Sequence, residues 1–305
     1  MNRTTLIGFA ILGAMGLAAP HLVYPIFAMK VLCLALFACA YNLLPGYTGL
    51  ISFGHAAYFG SSAYIAGYAA KVLGFTPELA LLAGTAWAVA LGWAFGSLAI
   101  RRQGIYFAMI TLGLAQVIYF LASQMKFTGG EDGLQGVPRG FLFGLVSLEG
   151  NMVMYYFVFA VFMAAFWLIY RIVDSPFGHV LQSIRENEVR TVSLGYDVDK
   201  YKLMAFVLSA GLSGLAGSTK VLVFQFASLT DVYWHTNGLV ILIMLLGGMG
   251  TLFGPVVGAV LVVALDHYLA SFGSWVTIIT GAIFVICVLT FRRGMVGELV
   301  ALVKR

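Results

Sequence analysis

The chain has 305 residues, 61% of them hydrophobic and 10% charged, with a mean hydropathy of +0.97 and a formal charge of +5. Soluble domains carry about 25% charged and roughly 45–50% apolar residues, so the composition excludes a soluble domain and implies an integral membrane protein. The cations lie dispersed at the ends of apolar runs, which makes them topological markers and not a nucleic-acid surface.

A helical span needs about 20 apolar residues. Ten segments meet or approach that length: 4–24, 26–45, 49–70, 78–100, 104–124, 152–170, 202–226, 236–250, 252–270 and 275–291. The expected fold is an all-α polytopic membrane protein, a single membrane domain over 1–305. Its start imitates a signal peptide, but Ala18-Ala19-Pro20-His21 is a poor cleavage site and a second apolar run follows at once, so the first span is expected to be retained. Cys33, Cys39 and Cys287 all fall inside apolar runs, which favours packing over disulfide bonding.

Between the second and third segments the apolar run is interrupted. Asn42 to Gly60 contains Pro45, Gly46, Gly49, Gly54 and Gly60, with polar Asn42, Thr48, Ser52, His55 and Tyr58, and Ser61, Ser62 and Tyr64 follow. Broken helices are tolerated at membrane depth where protein or a water-filled path covers the backbone. The candidate path residues are Asn42, Gly46, Gly49, Ser52, Gly54, His55, Tyr58, Tyr64 and, from the fifth segment, Thr111. Tight packing through small residues explains the pattern equally well. His55 alone reads as a hydrogen-bonded packing residue before a proton carrier.

The loop 126–151 combines glycines with both charge signs and reads as turns; with 227–235 it forms one end of the molecule. At the other end, residues 171–202 hold ten of the 29 charged side chains. Ser175 suits a helix N-cap with Pro176 at the first helical position. Phe177, Val180, Leu181 and Ile184 then make an apolar stripe, followed by Arg185, Glu186, Asn187, Glu188 and Arg190, with Gly195 as a C-terminal cap and Asp197 or Asp199 capping the next span. This predicts one short amphipathic helix. Its mixed charges fit a protein partner better than a lipid surface.

Gly247 to Gly258 lacks the preceding strand and following basic residue of a phosphate loop and predicts a tight hairpin. With ten spans, Arg3, Arg101, Arg102, Arg171, Arg185, Arg190, Lys200, Lys202, Arg292, Arg293, Lys304 and Arg305 share one side, against Lys30, Lys71, Lys126 and Arg139 on the other. The positive-inside rule therefore predicts that both termini and the charged loop are cytosolic. Lys220 lies inside a span, where it is expected to snorkel, and no paired acid and base is evident for ion coupling. No ATP site, metal cluster or nucleophile constellation is recognisable.

These blocks, from Asn42–Ala66 through Arg102–Leu112, Thr128–Gly133, Ser175–Phe206 and Gly247–Gly258 to Phe291–Gly297, resemble in order the LivM-type permease subunits of bacterial branched-chain amino-acid ABC importers. Two places depart from that pattern: Val189-Arg190-Thr191 replaces the small residues of the family's coupling motif, and Arg292 stands where proline is usual. The resemblance implies half of a translocation path, with no catalytic residue and no cofactor bound by this chain. Two cytosolic ATPases using ATP–Mg would dock on Ser175, Phe177, Gly178, Arg185, Glu186, Asn187, Glu188, Arg190 and Gly195. A second homologous permease and a periplasmic binding protein meeting the outer loops would complete the assembly in the bacterial inner membrane. Leucine, isoleucine or valine is the implied solute, with urea, short-chain amides and other amino acids as alternatives. An ion-coupled secondary transporter built on Lys220, His55 or Asp266 is the competing class.

Overall fold

A computed structural model describes residues 3–269, 276–290 and 294–303. In chain order the helices are α1 (Arg3–Leu22), α2 (Pro25–Asn42), α3 (His55–Lys71), α4 (Pro77–Ala99), α5 (Ile105–Gln124) and α6 (Asn151–Val173). Two short helices follow, α7 (Pro176–Glu186) and α8 (Glu188–Ser193). Then come α9 (Val198–Phe224), α10 (Leu229–Val232), α11 (Trp234–Gly247), α12 (Gly254–Leu269), α13 (Val276–Thr290) and α14 (Gly294–Val303). A helix falls on each of the ten predicted segments, and α10 and α14 are additions. Among the described residues, six helices (α1, α2, α4, α5, α6 and α9) are long and apolar enough to cross a membrane. At 17, 14, 16 and 15 residues, α3, α11, α12 and α13 are shorter. The protein is an all-α polytopic membrane protein. Arg292, Arg293, Lys304, Arg305 and the Cys287 side chain lie outside the described residues, while Cys33 and Cys39 are buried and free.

Helix α9 runs through the interior, packed against α2, α3 and α4. Small residues make this possible: Gly84, Ala88, Gly92 and Gly96 recur every fourth position and form the buried stripe of α4. A Cβ on Gly92 would lie 2.5 Å from that of Ala210, and one on Gly217 of α9 would lie 2.7 Å from the Ser62 hydroxyl oxygen of α3. The Ser62 hydroxyl itself donates to the Gly214 carbonyl at 2.8 Å. Without a hydrophobic driving force between helices, dispersion contacts and interhelical hydrogen bonds of this kind hold a membrane bundle together. The opposite face of α4, with Leu79, Leu82, Val89, Trp93 and Leu98, is exposed and apolar, as is most of α1.

Two minute antiparallel pairings organise the loops at one end: β1 (Leu134–Gln135) with β4 (Phe226–Ala227), and β2 (Phe141–Leu142) with β3 (Val146–Ser147). Arg139 fastens this end, donating to the carbonyls of Glu149 (3.0 Å) and Val223 (2.9 Å) and to Asn151 Oδ1 (2.9 Å). Burial lowers its pKa from the usual arginine value.

Candidate functional site

The interrupted segment is built around a helix start buried inside the bundle. The chain leaves α2, turns through residues 43–54, and begins α3 only at His55, six residues later than predicted. The first N–H groups of a helix have no intrahelical partner, and in the interior water cannot serve. Asn237 of α11 supplies the acceptor: its Oδ1 takes the N–H groups of His55 (2.9 Å) and Ala56 (3.3 Å), while its Nδ2 donates to the Ser52 carbonyl (3.2 Å). Thr111 of α5 accepts from the Phe53 N–H at 3.1 Å, and Gly54 lets its backbone approach: an added Cβ would sit 3.3 Å from that of Thr111.

His55 is fully buried between Ser52 Oγ on Nδ1 and Ser209 Oγ on Nε2, both at 3.0 Å. The Ser209 hydroxyl donates its one proton to the Ala40 carbonyl (2.6 Å), so the imidazole Nε2–H must be the donor to Ser209 and Nδ1 the acceptor from Ser52. Tyr41, Tyr58 and Phe206 pack edge-on around the ring. Both nitrogens are thus satisfied by a neutral imidazole, which fits the packing reading of His55. Of the expected path residues, Asn42, Ser52, His55, Tyr58, Tyr64 and Thr111 are all buried, and within 49–54 only Gly49, Ile51 and Phe53 are exposed. The Tyr64 hydroxyl is buried without a hydrogen-bond partner.

The charged loop folds as two helices. Correcting the single amphipathic helix of the sequence reading, α7 stops at Glu186 and α8 starts at Glu188. Asn187 adopts an extended backbone (φ −158°, ψ 100°) and turns its side chain into the N-cap of α8, accepting from the Arg190 N–H at 3.0 Å. Asparagine competes with helical continuation in this way because its carbonyl can replace a backbone acceptor. The other expected caps are present. Ser175 accepts from the Gly178 N–H at 3.3 Å, Gly195 leaves α8 at φ +89°, and Asp197 caps α9 by accepting from the Lys200 N–H at 3.3 Å. Hydrogen bonding to the Lys200 side chain pulls the Asp197 carboxyl below its ordinary range.

Leu181 and Ile184 bury the apolar stripe of α7, and Phe177 stacks on Tyr201 of α9 at 5.6 Å. Glu188 accepts from Lys202 (2.6 Å) and from Gln103 beside α5 (2.8 Å). Val189, Val192 and Leu194 remain exposed, as do Glu186 and Arg190.

The two features meet at Arg185. Its guanidinium donates to the Gly46 carbonyl and lies against Gly250, which takes a left-handed backbone (φ +77°) in the hairpin between α11 and α12. Gly49, also left-handed, faces the Arg185 stem. Asn42 closes the junction, accepting from the Gly250 N–H and donating to the Thr251 carbonyl, both at 3.0 Å. A cavity of about 450 Å³ opens here, lined by Gly46, Tyr47, Gln182, Arg185, Glu186 and Gly250.

A second correction concerns Lys220. It does not snorkel alone: its ammonium pairs with Asp231 of α10 at 2.5 Å, with side chains only 20% and 10% exposed. A partly buried acid–base pair therefore exists. Asp231 also accepts from the Ser228 N–H, and Lys30 lies 4.0 Å from Asp266 at a half-exposed site. Sequence reasoning missed Asn237, Ser209 and Asp231, and it placed Gly250 in the predicted hairpin without foreseeing its contact with Arg185. Asn237 gave no clear signal, since it stands with His235, Thr236 and Gly238 at the polar start of α11.

A bundle of apolar helices with a buried helix break, clasped at one end by a charged two-helix loop, is the architecture of a polytopic membrane protein. A family model described as branched-chain amino acid transport system / permease component matches residues 24–288, and the chain belongs to that family. It is 25% identical over 277 residues to the high-affinity branched-chain amino acid transport system permease protein LivM of Escherichia coli (strain K12). It is 27% identical over 279 residues to the LivM of Salmonella typhimurium. Each match covers 83% of this chain and 65% of the relative, so the chain spans about two thirds or slightly less of their length. The autoinducer 2 import system permease protein LsrC of Klebsiella pneumoniae is 27% identical over 60% of this chain and 53% of its own. A solved inward-facing ABC transporter matches 88% of this chain and 86% of its own at a TM-score of 0.49 and 18% identity, too loose a likeness to add to the family assignment.

Proposed function

We propose that the chain is the membrane-spanning permease subunit of an ATP-driven bacterial importer of branched-chain amino acids. In this reading ten helices cross the inner membrane with both termini in the cytosol, and this chain forms half of the path with a second, homologous permease. A periplasmic protein delivers the solute. Two cytosolic ATPases bind ATP–Mg and dock on α7 and α8, where Val189, Val192 and Leu194 offer apolar contact beside Glu186 and Arg190. Family membership and the LivM names support the solute class; the LsrC relative, named for a different cargo, makes other solutes the alternative.

The observation that carries the mechanism is the Arg185 junction. A displacement of α7 is delivered through one guanidinium to the Gly46 carbonyl, the hinge of the broken segment, and to the α11–α12 hairpin beside it. ATPase closure thereby shifts the start of α3 relative to α5 and α11, exposing the path alternately to each side. The residues of this chain position and gate; the chemistry of hydrolysis belongs to the ATPases. Arg185→Glu should break the junction by charge repulsion from the carbonyl, and Gly195→Pro should forbid the left-handed exit from α8. Both variants should insert normally and uncouple ATP hydrolysis from uptake, which should fall at least tenfold. Uptake at the wild-type rate in both would count against the reading.

A specific observation favours a second reading. The Lys220–Asp231 pair, partly buried where α9 ends, is the kind of acid–base couple on which an ion-driven transporter depends.

A further inference from the structure

The loop 126–151 is expected to face water and a soluble partner, yet its β2–β3 hairpin carries an exposed apolar tip. Phe141, Phe143, Leu145 and Val146 are all exposed, Phe143 at 73% and Leu145 at 86%. Phe143 also holds a left-handed backbone, φ +49°, ahead of Gly144 at +72°. Glycine or asparagine fills such a position without steric cost, whereas a bulky side chain there is an outlier. The tip therefore presents an aromatic ring at some local expense.

The height of the tip is set by α4. The Phe143 N–H donates to Glu78 Oε1 at 3.1 Å, in the first turn of that helix. From that turn the exposed face of α4 descends through Leu79 and Leu82 to Val89 and Trp93, and the preceding turn exposes Val72, Leu73 and Phe75. A helix rises 1.5 Å per residue, so Leu82 lies only about 6 Å below Glu78. The hairpin tip thus lies beside the exposed apolar face of α4, with the part-buried Glu78 carboxylate at the join. Glu131 and Asp132 of the same loop sit apart in a separate 3₁₀ turn, whereas exposed Glu149 follows the hairpin at its stem, away from the tip.

We propose that the β2–β3 hairpin is a lipid anchor: Phe141, Phe143 and Leu145 insert at the boundary between headgroups and acyl chains of the outer leaflet, beside α4. Segments that present Phe and Leu to the boundary gain burial there without crossing the bilayer. The anchor fixes the stem at Arg139 and Leu148, and with it the β1–β4 pairing to the end of α9, leaving Glu131, Asp132 and Gln135 free to face a soluble partner. The proposal does not depend on the transport reading and needs no transport to be tested.

The test uses the full chain, purified with the subunits that accompany it, in nanodiscs of phosphatidylethanolamine and phosphatidylglycerol. A nitroxide is attached at Leu145→Cys in a background of Cys33→Ala, Cys39→Ala and Cys287→Ala, with Leu82→Cys and Glu131→Cys as lipid and water references. The anchor predicts high collision with oxygen and low collision with a nickel chelate at position 145, giving a depth parameter of the same sign as at 82 and opposite to that at 131. High nickel collision would place the tip in water, and low collision with both reagents would place it under protein; either result overturns the proposal. Should the cysteine-free background fail to fold, the unmodified chain is irradiated with a lipid carrying a diazirine at the top of its acyl chain. Adducts on residues 141–146 are expected; adducts on α4 with none on the hairpin would refute the anchor.

Discussion

Asn237 is the side chain on which the broken segment depends most. Both ends of its amide are used, and its oxygen is the acceptor for two N–H groups at the buried start of α3. Asn237→Leu keeps the volume but strands those donors, and an unsatisfied buried donor costs about 1–3 kcal/mol. The variant should unfold at a measurably lower temperature in nanodiscs, with uptake reduced as α3 loses its fixed start; an unchanged melting temperature would show that the cap is not needed. The Lys220–Asp231 pair gives a residue-scale test of a different kind. Lys220→Met alone leaves a carboxylate without its partner in a poorly hydrated site, which is destabilising, whereas replacing both partners by apolar groups removes the charge altogether. If the pair only tethers α10, uptake should be restored largely in Lys220→Met combined with Asp231→Leu. If the pair couples an ion, uptake stays abolished in the double variant, even in a well-folded protein with its ATPases present. Neither Asn237 nor Asp231 was legible as a partner beforehand: the amide cap joins residues 182 positions apart, and Asp231 belongs to a segment with no apolar period to place it.

At the scale of elements, position was legible and termination less so. Each apolar run near span length became a helix, because in hydrocarbon every backbone group must be satisfied within its own segment. The caps at Ser175, Gly195 and Asp197 were equally plain, since each is a local contest over a few hydrogen bonds. What escaped was the choice between continuing and stopping. Helix α3 starts at His55 because Asn237 and Thr111 make that start tolerable, and α7 stops because Asn187 turns back to cap α8. The close approach of α4 to α9 was also hidden, although the four-residue recurrence of Gly84, Ala88, Gly92 and Gly96 was there to be read. Gly92→Leu would force a side chain into Ala210; overpacking of this kind costs about 1–3 kcal/mol. The expected outcome is lower yield and thermal stability, while Gly113→Leu, at a position with open space around it, should be silent. Equal loss at both sites would argue against the small-residue interface.

For the whole molecule, the two ends of the bundle have different chemistry. One is knitted by Arg139, Lys220 and two small strand pairings; the other gathers the charged loop, the broken segment and the α11–α12 hairpin around Arg185. At the second end α7 reaches the broken segment through Arg185 and α9 through Phe177, while α8 reaches α9 through the Glu188–Lys202 pair. The membrane class was legible from composition, the place of the charged loop from its charge, and the family from the order of its motifs. The junction was not, because the Arg185–Gly46 contact spans 139 residues and the Asn42–Gly250 contact 208. The most direct test is crosslinking from a single cysteine at Ser183, exposed on α7, to cytosolic subunits in native membranes with and without ATP. The account predicts a crosslink to an ATPase whose yield changes with nucleotide. A well-folded, accessible loop that captures no ATPase under either condition would contradict it.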